Sequence, residues 1–372
     1  MDEHIEYSTT PEERAFRRQE RIAKRLERQH QRRRQRIRYF LSVFGILFLL
    51  VGAIALGIMA VRSLSNSDKP EDPTTLTAQQ PTVPTPDPAP VEPLDEPEPP
   101  FSLALSDRTH TIGDELSSSY AIVIDLTGEE ILAQKEAFTV VSPASMTKIL
   151  TILVAAEHLE SEESLNDTVT IDLEITDYCY VNECSTAGFL RDEEVPVREL
   201  FYGTILPSGA EAAVGLARYI AGSHEAFVEL MNEKVAELGL SETAHFTNCV
   251  GLYNERNVCS VYDIAMILRA AMENELCREV LTSKIHEIEA NDMHPEGMVL
   301  SNWFLRRIED YVPDGLAVIG AKTGYVAKAG SCAASIARTD SGDLYICVTA
   351  DTTSSKQCVQ DHVQLYTTYL GY

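Results

Sequence analysis

The longest apolar stretch of the chain runs from Tyr39 to Val61 and contains no charged side chain. As a helix, a segment of this length would span roughly 34 Å, enough to cross the hydrocarbon core of a bilayer. The positive-inside rule places the basic residues that precede it, 1–38, in the cytoplasm. The pattern therefore predicts a transmembrane anchor at 39–61, with the following residues outside the cell. The alternative is a cleaved signal peptide, although the apolar part of a signal is usually shorter.

The rest of the apolar pattern predicts strands at both ends of a domain and helices between them. Ser119–Leu126 and Glu130–Gln134 flank a Thr-Gly pair and predict a β-hairpin. The pattern is largely helical from 145 to about 271. Further strands are predicted at 317–323, 331–338 and 344–350, and a last helix at 355–370. Residues 101–372 are therefore predicted to form an α/β (α+β) domain, with one antiparallel sheet flanked by helices and a helical subdomain.

Composition separates this domain from the apolar stretch. Eleven of the 17 prolines fall between residues 63 and 100, so 62–100 cannot bury a core and is predicted to be a disordered linker. Residues 1–38 carry 12 Lys and Arg against 7 Asp and Glu, whereas the remaining chain carries 19 against 50. Because so acidic a domain repels phosphates, nucleic acid is excluded as a partner.

A serine and a lysine lie one helical turn apart near the start of the helical region. Ser145 and Lys148 belong to a Pro-Ala-Ser-Met-Thr-Lys segment that leads into an apolar helical run. A helix N-terminus favours developing negative charge, and residues three apart share one helical face. Lys148, when neutral, can therefore take the proton of Ser145 as the hydroxyl attacks a carbonyl group.

Two further segments carry side chains suited to substrate binding and proton transfer. Lys322, Thr323 and Gly324 end a predicted strand, where an ammonium and a hydroxyl can hold a carboxylate and glycine permits close approach of a substrate. A second ammonium near Lys148 is also expected to lower its pKa. Ser208 lies in a Leu-Pro-Ser-Gly-Ala turn before a predicted helix. Taken alone, a serine there is an ordinary helix cap.

The order and spacing of these segments resemble the active-site motifs of penicillin-recognising serine enzymes. More specifically, residues 101–372 resemble the serine-type D-Ala-D-Ala carboxypeptidases, the low-molecular-mass penicillin-binding proteins. The resemblance includes two further segments, Phe246-Thr247-Asn248-x-x-Gly251-Leu252 and Tyr262-Asp263. It implies a β-lactamase/transpeptidase-like fold that needs no metal or other cofactor.

The resemblance also implies a role for each motif residue. Ser145 would be the acylated nucleophile, Lys148 its general base, and Ser208 a proton relay to the leaving group. The residues implied to bind substrate are Lys322, Thr323, Gly324 and Tyr325. The side chains of Lys322 and Thr323 would hold the terminal carboxylate of the substrate. The backbone N–H groups of residues 145 and 325 would form an oxyanion hole.

The implied reaction removes the last D-Ala from peptidoglycan stem peptides through an acyl-enzyme. β-Lactams would then act as covalent inhibitors. Many relatives carry a C-terminal β-domain and a C-terminal membrane anchor, whereas this sequence predicts attachment to the membrane through its N-terminal helix.

One position departs from the family pattern. The middle motif usually reads Ser-x-Asn, and its asparagine bonds the substrate and helps hold the catalytic lysine, but the third position here is Ala210. Glu211 is one side chain that could compensate. The departure leaves open a catalytically impaired penicillin-binding sensor or a peptidoglycan-binding protein.

Two other enzyme classes are weaker alternatives. A class A β-lactamase has an E-x-x-L-N segment between its second and third motifs. The matching string here, residues 162–166, lies between the first and second motifs and is interpreted as coincidence. A zinc carboxypeptidase has no visible ligand set, because no two histidines have H-x-H or H-x-x-x-H spacing.

All eight cysteines lie in the predicted outer domain. An oxidising compartment permits disulfides there. The pairs Cys179/Cys184 and Cys249/Cys259 each flank a short polar loop and are the expected ones. The alternative is that the cysteines are small buried hydrophobic residues.

Overall fold

The structure, a computed structural model, describes residues 102–372. The predicted cytoplasmic tail, transmembrane anchor and linker, residues 1–38, 39–61 and 62–100, lie outside the described residues. Within 102–372, none of the helices combines the length and the apolar character needed to cross a bilayer.

A six-stranded sheet with the order β1-β3-β2-β10-β9-β8 forms the centre of the described domain. All neighbouring strands are antiparallel except β1 and β3, which are parallel. The strands of this sheet are β1 (His110–Thr111), β2 (Tyr120–Asp125), β3 (Glu130–Lys135), β8 (Leu316–Val326), β9 (Gly330–Thr339) and β10 (Leu344–Thr352). The predicted hairpin and the three predicted C-terminal strands are therefore confirmed.

Alternation along β2 explains how the sheet is covered on both faces. Ile122 and Ile124 point into the larger hydrophobic core, whereas Ala121 and Val123 point into a smaller one on the opposite face. Because side chains alternate along a strand, a run of apolar residues can serve two cores at once. The smaller core also contains Tyr366, from the last helix of the chain.

Nine α-helices of the described residues surround the sheet. They are α1 (Thr147–Glu157), α2 (Leu173–Val181), α3 (Val197–Ile205), α4 (Ala210–Ala221), α5 (His224–Glu237), α6 (Val261–Glu273), α7 (Glu275–Thr282), α8 (Trp303–Ile308) and α9 (Ser355–Leu370). Helix α1 is buried along almost its whole length and packs against α4, α5 and α6. The predicted mixed fold, an antiparallel sheet with an inserted helical region, is confirmed.

Two small hairpin-like sheets were not predicted from the sequence. Strand β4 (Thr168–Ile171) pairs with β5 (Glu193–Pro196) inside the helical region, and β6 (Ile285–Ile288) pairs with β7 (Met298–Ser301) before α8. The middle of the domain is therefore less purely helical than the pattern indicates.

The predicted disulfides are wrong, because all eight cysteines are free thiols. The thiol of Cys249 approaches the carbonyl oxygen of Ala213 on α4, whereas Cys259 forms a backbone bridge with Val141. Cys179 and Cys184 are joined through their backbones, Cys184 N–H to Cys179 O at 3.0 Å. Their side chains also share a hydrogen bond, so these two thiols are close to each other without being covalently joined. Seven of the eight thiols are instead buried in the packing of the domain.

Candidate active site

Ser145 lies in a short 3₁₀ turn, Ala144–Met146, that leads directly into α1. The preceding residue, Ala144, has a φ of 47°, a left-handed conformation that is unusual for alanine. Strained backbone of this kind persists where the surrounding structure holds it, often at functional sites. Because this turn leads directly into α1, the predicted placement of Ser145 at a helix N-terminus is confirmed.

Lys148 is buried on the first turn of α1, with 2% of its surface exposed. Its Nζ donates to Ser145 Oγ at 3.2 Å and to the carbonyl oxygen of Val250 at 2.8 Å. Burial lowers the pKa of Lys148 to about 8, against the opposing attraction of nearby groups that include Glu211. Roughly a tenth of this lysine is then neutral at pH 7, so it can accept a proton from the serine.

Lys322 is the second buried lysine of the site and lies on β8. Its Nζ donates to Ser208 Oγ at 2.9 Å and to Thr323 O at 2.8 Å. Burial, followed by repulsion from Lys148, holds the pKa of Lys322 well below its usual value. The sequence led us to expect that a second ammonium would lower the pKa of Lys148. Burial is instead the cause that lowers the pKa of Lys148, and repulsion between the two lysines contributes to the lowered pKa of Lys322.

Ser208 joins α3 to α4 and has a φ of 64°, so it too is a non-glycine residue in left-handed conformation. Its hydroxyl is held by Lys322. The adjacent Gly209 donates its N–H to Gly203 O on α3, which fixes the turn between the two helices. Ser208 is therefore presented to the cleft and does not cap α4.

Strand β8 is an edge strand and passes very close to the serine turn. A Cβ added at Gly324 would lie 2.9 Å from both the backbone nitrogen of Ser145 and the Cβ of Ala144. Only glycine therefore allows the strand to approach this turn. The neighbouring Tyr325 is 70% exposed at the mouth of the cleft.

Five of the motif residues line one cleft of about 690 Å³, and the two buried lysines contact the two serines among them. Its lining includes Ser145, Ser208, Thr323, Gly324 and Tyr325, together with Trp303 and Glu183. A larger groove of about 840 Å³ runs along α7 and β8 but contains none of the motif side chains. We therefore assign the candidate active site to the smaller cleft, which Ser145, Ser208 and Thr323 line together.

The structure also shows the surroundings of Ala210, the position that departs from the expected motif, and of the neighbouring Glu211. Ala210 begins α4, is 1% exposed, and donates its N–H to Ser185 O at 2.8 Å. Glu211 makes no hydrogen bond to either lysine, and its Oε1 accepts the N–H of Gly188 at 2.9 Å. Its other oxygen is buried and has no hydrogen-bond partner within residues 102–372. Glu211 therefore acts on Lys148 through charge and not through a hydrogen bond.

The segment that matches the β-lactamase string does not enter the cleft. Residues 162–166 form a 3₁₀ turn, and Glu162 and Leu165 line a separate cavity of about 440 Å³ together with Arg198. The interpretation of this string as coincidence agrees with its position.

Comparison with known proteins agrees with this geometry. Residues 107–353 match the family described as D-alanyl-D-alanine carboxypeptidase, peptidase S11. The chain belongs to this family. The predicted resemblance is thereby confirmed, and with it the assignment to the serine peptidases.

Individual members of the D-alanyl-D-alanine carboxypeptidase family show how far the similarity extends. DacF of Bacillus subtilis is 31% identical over 241 residues, which cover 63% of this chain and 57% of the relative. DacC of Escherichia coli is 30% identical over 212 residues, which cover 56% of this chain and 50% of the relative. The chain thus spans about half the length of these two relatives.

A solved structure of a DD-transpeptidase is similar to the described domain. The crystal structure of the Streptomyces K15 DD-transpeptidase superposes with a TM-score of 0.63 at 27% identity, covering 69% of this chain and 98% of that one. The mixed α/β fold of this family is therefore the fold of residues 102–372.

Proposed function

We propose that this protein is a serine-type D-Ala-D-Ala carboxypeptidase that removes the terminal D-Ala from peptidoglycan stem peptides, in cell-wall biogenesis or remodelling. The observation that carries the proposal is the contact between Lys148 Nζ and Ser145 Oγ at 3.2 Å. A buried lysine whose pKa is lowered to about 8 can serve as a base near neutral pH.

In the acylation step, neutral Lys148 takes the hydroxyl proton while Ser145 Oγ bonds to the penultimate D-Ala carbonyl carbon. The negative charge on the carbonyl oxygen is stabilised by the N–H groups of Ser145 and Tyr325. As the C–N bond breaks, the proton passes through Ser208 to the leaving amine and D-Ala departs. A water molecule then attacks the ester, with Lys148 again as the base, and regenerates the serine.

Recognition of the substrate terminus falls to Lys322 and Thr323. The ammonium and the neighbouring hydroxyl suit a terminal carboxylate, since charge-assisted hydrogen bonds are stronger than neutral ones. β-Lactams carry a carboxylate at a comparable position and would acylate the same serine.

The full-length protein, purified in detergent, tests this function directly. We expect release of D-Ala from a stem pentapeptide and a penicilloyl adduct on the tryptic peptide that contains Ser145. Ser145→Ala should show neither, because it lacks the nucleophile. A label on another residue, or undiminished labelling of Ser145→Ala, would show that the assignment is wrong.

Ala210 favours a second candidate, a penicillin-binding sensor with impaired turnover. The usual asparagine contributes a polar contact to the substrate, and a methyl group cannot replace it. Normal labelling of Ser145 by penicillin without release of D-Ala would favour the sensor over the carboxypeptidase.

We further infer that residues 101–372 act outside the cell, attached through the linker 62–100 and the anchor 39–61, with 1–38 in the cytoplasm. The support is the charge asymmetry across the apolar stretch and the extracytoplasmic location of the proposed substrate. Protease added to intact spheroplasts should remove the domain and leave a small membrane-bound fragment. Full protection of the domain would mean that the topology is reversed.

A further inference from the structure

A short turn, residues 248–252, lies directly against the proposed nucleophile and base. The Val250 carbonyl oxygen accepts from Lys148 Nζ at 2.8 Å and lies 3.4 Å from Ser145 Oγ. A Cβ added at Gly251 would be only 1.9 Å from the carbonyl oxygen of Ala144. The Val250 carbonyl is therefore a closely packed acceptor that both reacting side chains share.

The side chain of Asn248 holds this turn together. Its Oδ1 accepts the N–H groups of Val250, Gly251 and Leu252 at 3.2, 2.7 and 2.9 Å. Its Nδ2 donates to the carbonyl oxygen of Leu252 at 3.0 Å. Asn248 is itself buried. One carboxamide thus fixes successive peptide planes, and with them the direction of the Val250 carbonyl.

The residue between Asn248 and Val250 attaches the same turn to two helices. Cys249 O accepts from Thr151 Oγ1 of α1 at 2.6 Å. Cys249 N–H donates to His224 Nε2, at the start of α5, at 3.0 Å. The 248–252 turn therefore keeps a fixed position relative to α1, the helix that carries Lys148.

We propose that Asn248 is a positioning residue for Lys148, acting through the Val250 carbonyl. The inference rests on the proposed acylation of Ser145. A neutral amine has two N–H groups and one lone pair. When the carbonyl accepts one N–H group, rotation of the amine is restricted and the lone pair can be directed at the serine hydroxyl.

The absence of the usual second-motif carboxamide makes this backbone contact more important. Ala210 supplies a methyl group, which cannot accept or donate a hydrogen bond. The charged and titratable groups that act on Lys148 from the surrounding elements are Lys322, Glu211, Cys249, Cys184 and Cys179. Within residues 102–372 none of these is a hydrogen-bond partner of Lys148 Nζ, so orientation of the amine falls to the 248–252 turn.

The test compares variants of the full-length protein by their acylation with a fluorescent penicillin. The saturating acylation rate and the half-saturating concentration are measured separately, since positioning of the base affects the first and not the second. Asn232→Ala is the matched control. Asn232 also bonds the backbone, at Phe246, two residues before Asn248, but does not touch Val250.

We expect Asn248→Ala to lower the saturating rate about 10- to 100-fold and to change the half-saturating concentration less than about threefold. Asn232→Ala should lower the melting temperature by a similar amount and keep the rate within about threefold. Asn248→Asp preserves the three accepted bonds, so its rate should recover to within about tenfold of wild type. Its pH–rate midpoint should move upward, because an added carboxylate favours the ammonium form of Lys148.

An unchanged saturating rate in Asn248→Ala would overturn the proposal, as would an equal loss of rate in Asn232→Ala. If Asn248→Ala fails to fold, Asn248→Asp decides the question. A fold and rate like those of wild type together with an unshifted midpoint would then count against the inference. Failure of the proposed function is visible separately, because wild-type protein would then not be acylated at all.

Discussion

Replacement of Lys148 by methionine is expected to slow the acylation of Ser145 by about 10²- to 10⁴-fold without unfolding the domain. The loss corresponds to removal of the proposed general base, whose Nζ contacts the hydroxyl of the proposed nucleophile. Methionine is flexible and can fill the space of the buried lysine stem. The second-order rate constant with a fluorescent penicillin measures the effect. Lys328→Met, at an exposed lysine on the β8–β9 turn, is the control.

The same variant makes a prediction about stability. The pKa of Lys148 falls from 10.5 to about 8 on folding, so the unfolded chain binds more protons between these two values. The wild-type protein should therefore gain stability as the pH rises from about 8 to 10.5, and Lys148→Met should lack that gain.

The acylation rate of Lys148→Met decides the catalytic assignment. A rate above a tenth of the wild-type rate would contradict the assignment of Lys148 as the general base.

Replacement of Gly251 by alanine is expected to lower the free energy of unfolding by about 3 kcal/mol or more and to reduce acylation at least about 100-fold. The new Cβ would lie 1.9 Å from Ala144 O and 2.8 Å from Ser145 N. Both contacts are with backbone, so no side-chain rotation relieves them. The 3₁₀ turn that contains Ser145 and the 248–252 turn must then move apart. Misplacement of a reacting group by about 1 Å is enough to impair catalysis. Denaturant unfolding and penicillin labelling measure the two effects.

Gly222→Ala is the matched control for this prediction. Gly222 has a φ of 76°, close to the 82° of Gly251, but a Cβ there would meet nothing within 4 Å. The control therefore carries the cost of a left-handed alanine, about 1 kcal/mol, without the clash. Equal effects of the two substitutions would mean that backbone conformation, and not contact with the Ser145 turn, explains the loss.

Apolar runs and motif spacing were enough to predict five of the six strands of the main sheet, all except the two-residue β1, together with the proposed nucleophile and base. The strands β2, β9 and β10 contain long buried apolar runs, which leave a clear pattern in the sequence. By contrast, β6 alternates between exposed and half-buried side chains and has no apolar face. A strand stabilised by pairing and by polar contacts, such as His286 to Glu199, leaves no such periodicity.

Part of the candidate site could not be predicted for a different reason. The acceptor that contacts both Ser145 and Lys148 is the carbonyl of Val250, and every residue type carries a carbonyl. Only the flanking Asn248 and Gly251 leave a signal, as members of a family motif whose geometry the sequence does not disclose. Burial of Lys148 and Lys322, which sets their protonation, likewise depends on packing that appears only in three dimensions.

The lowered pKa of Lys322 affects which anionic ligands the cleft binds. Burial lowers the pKa values of both Lys322 and Lys148, so each loses its positive charge at a lower pH than an exposed lysine would. An anionic group that binds there favours the protonated form of Lys322, so its affinity is expected to fall as the medium becomes more alkaline. Small inorganic anions gain little from such a site, because they cannot add contacts along β8 to offset this cost. Under the proposed function, the carboxylate terminus of a peptide can add such contacts, so the cleft is expected to bind it in preference to a small inorganic anion.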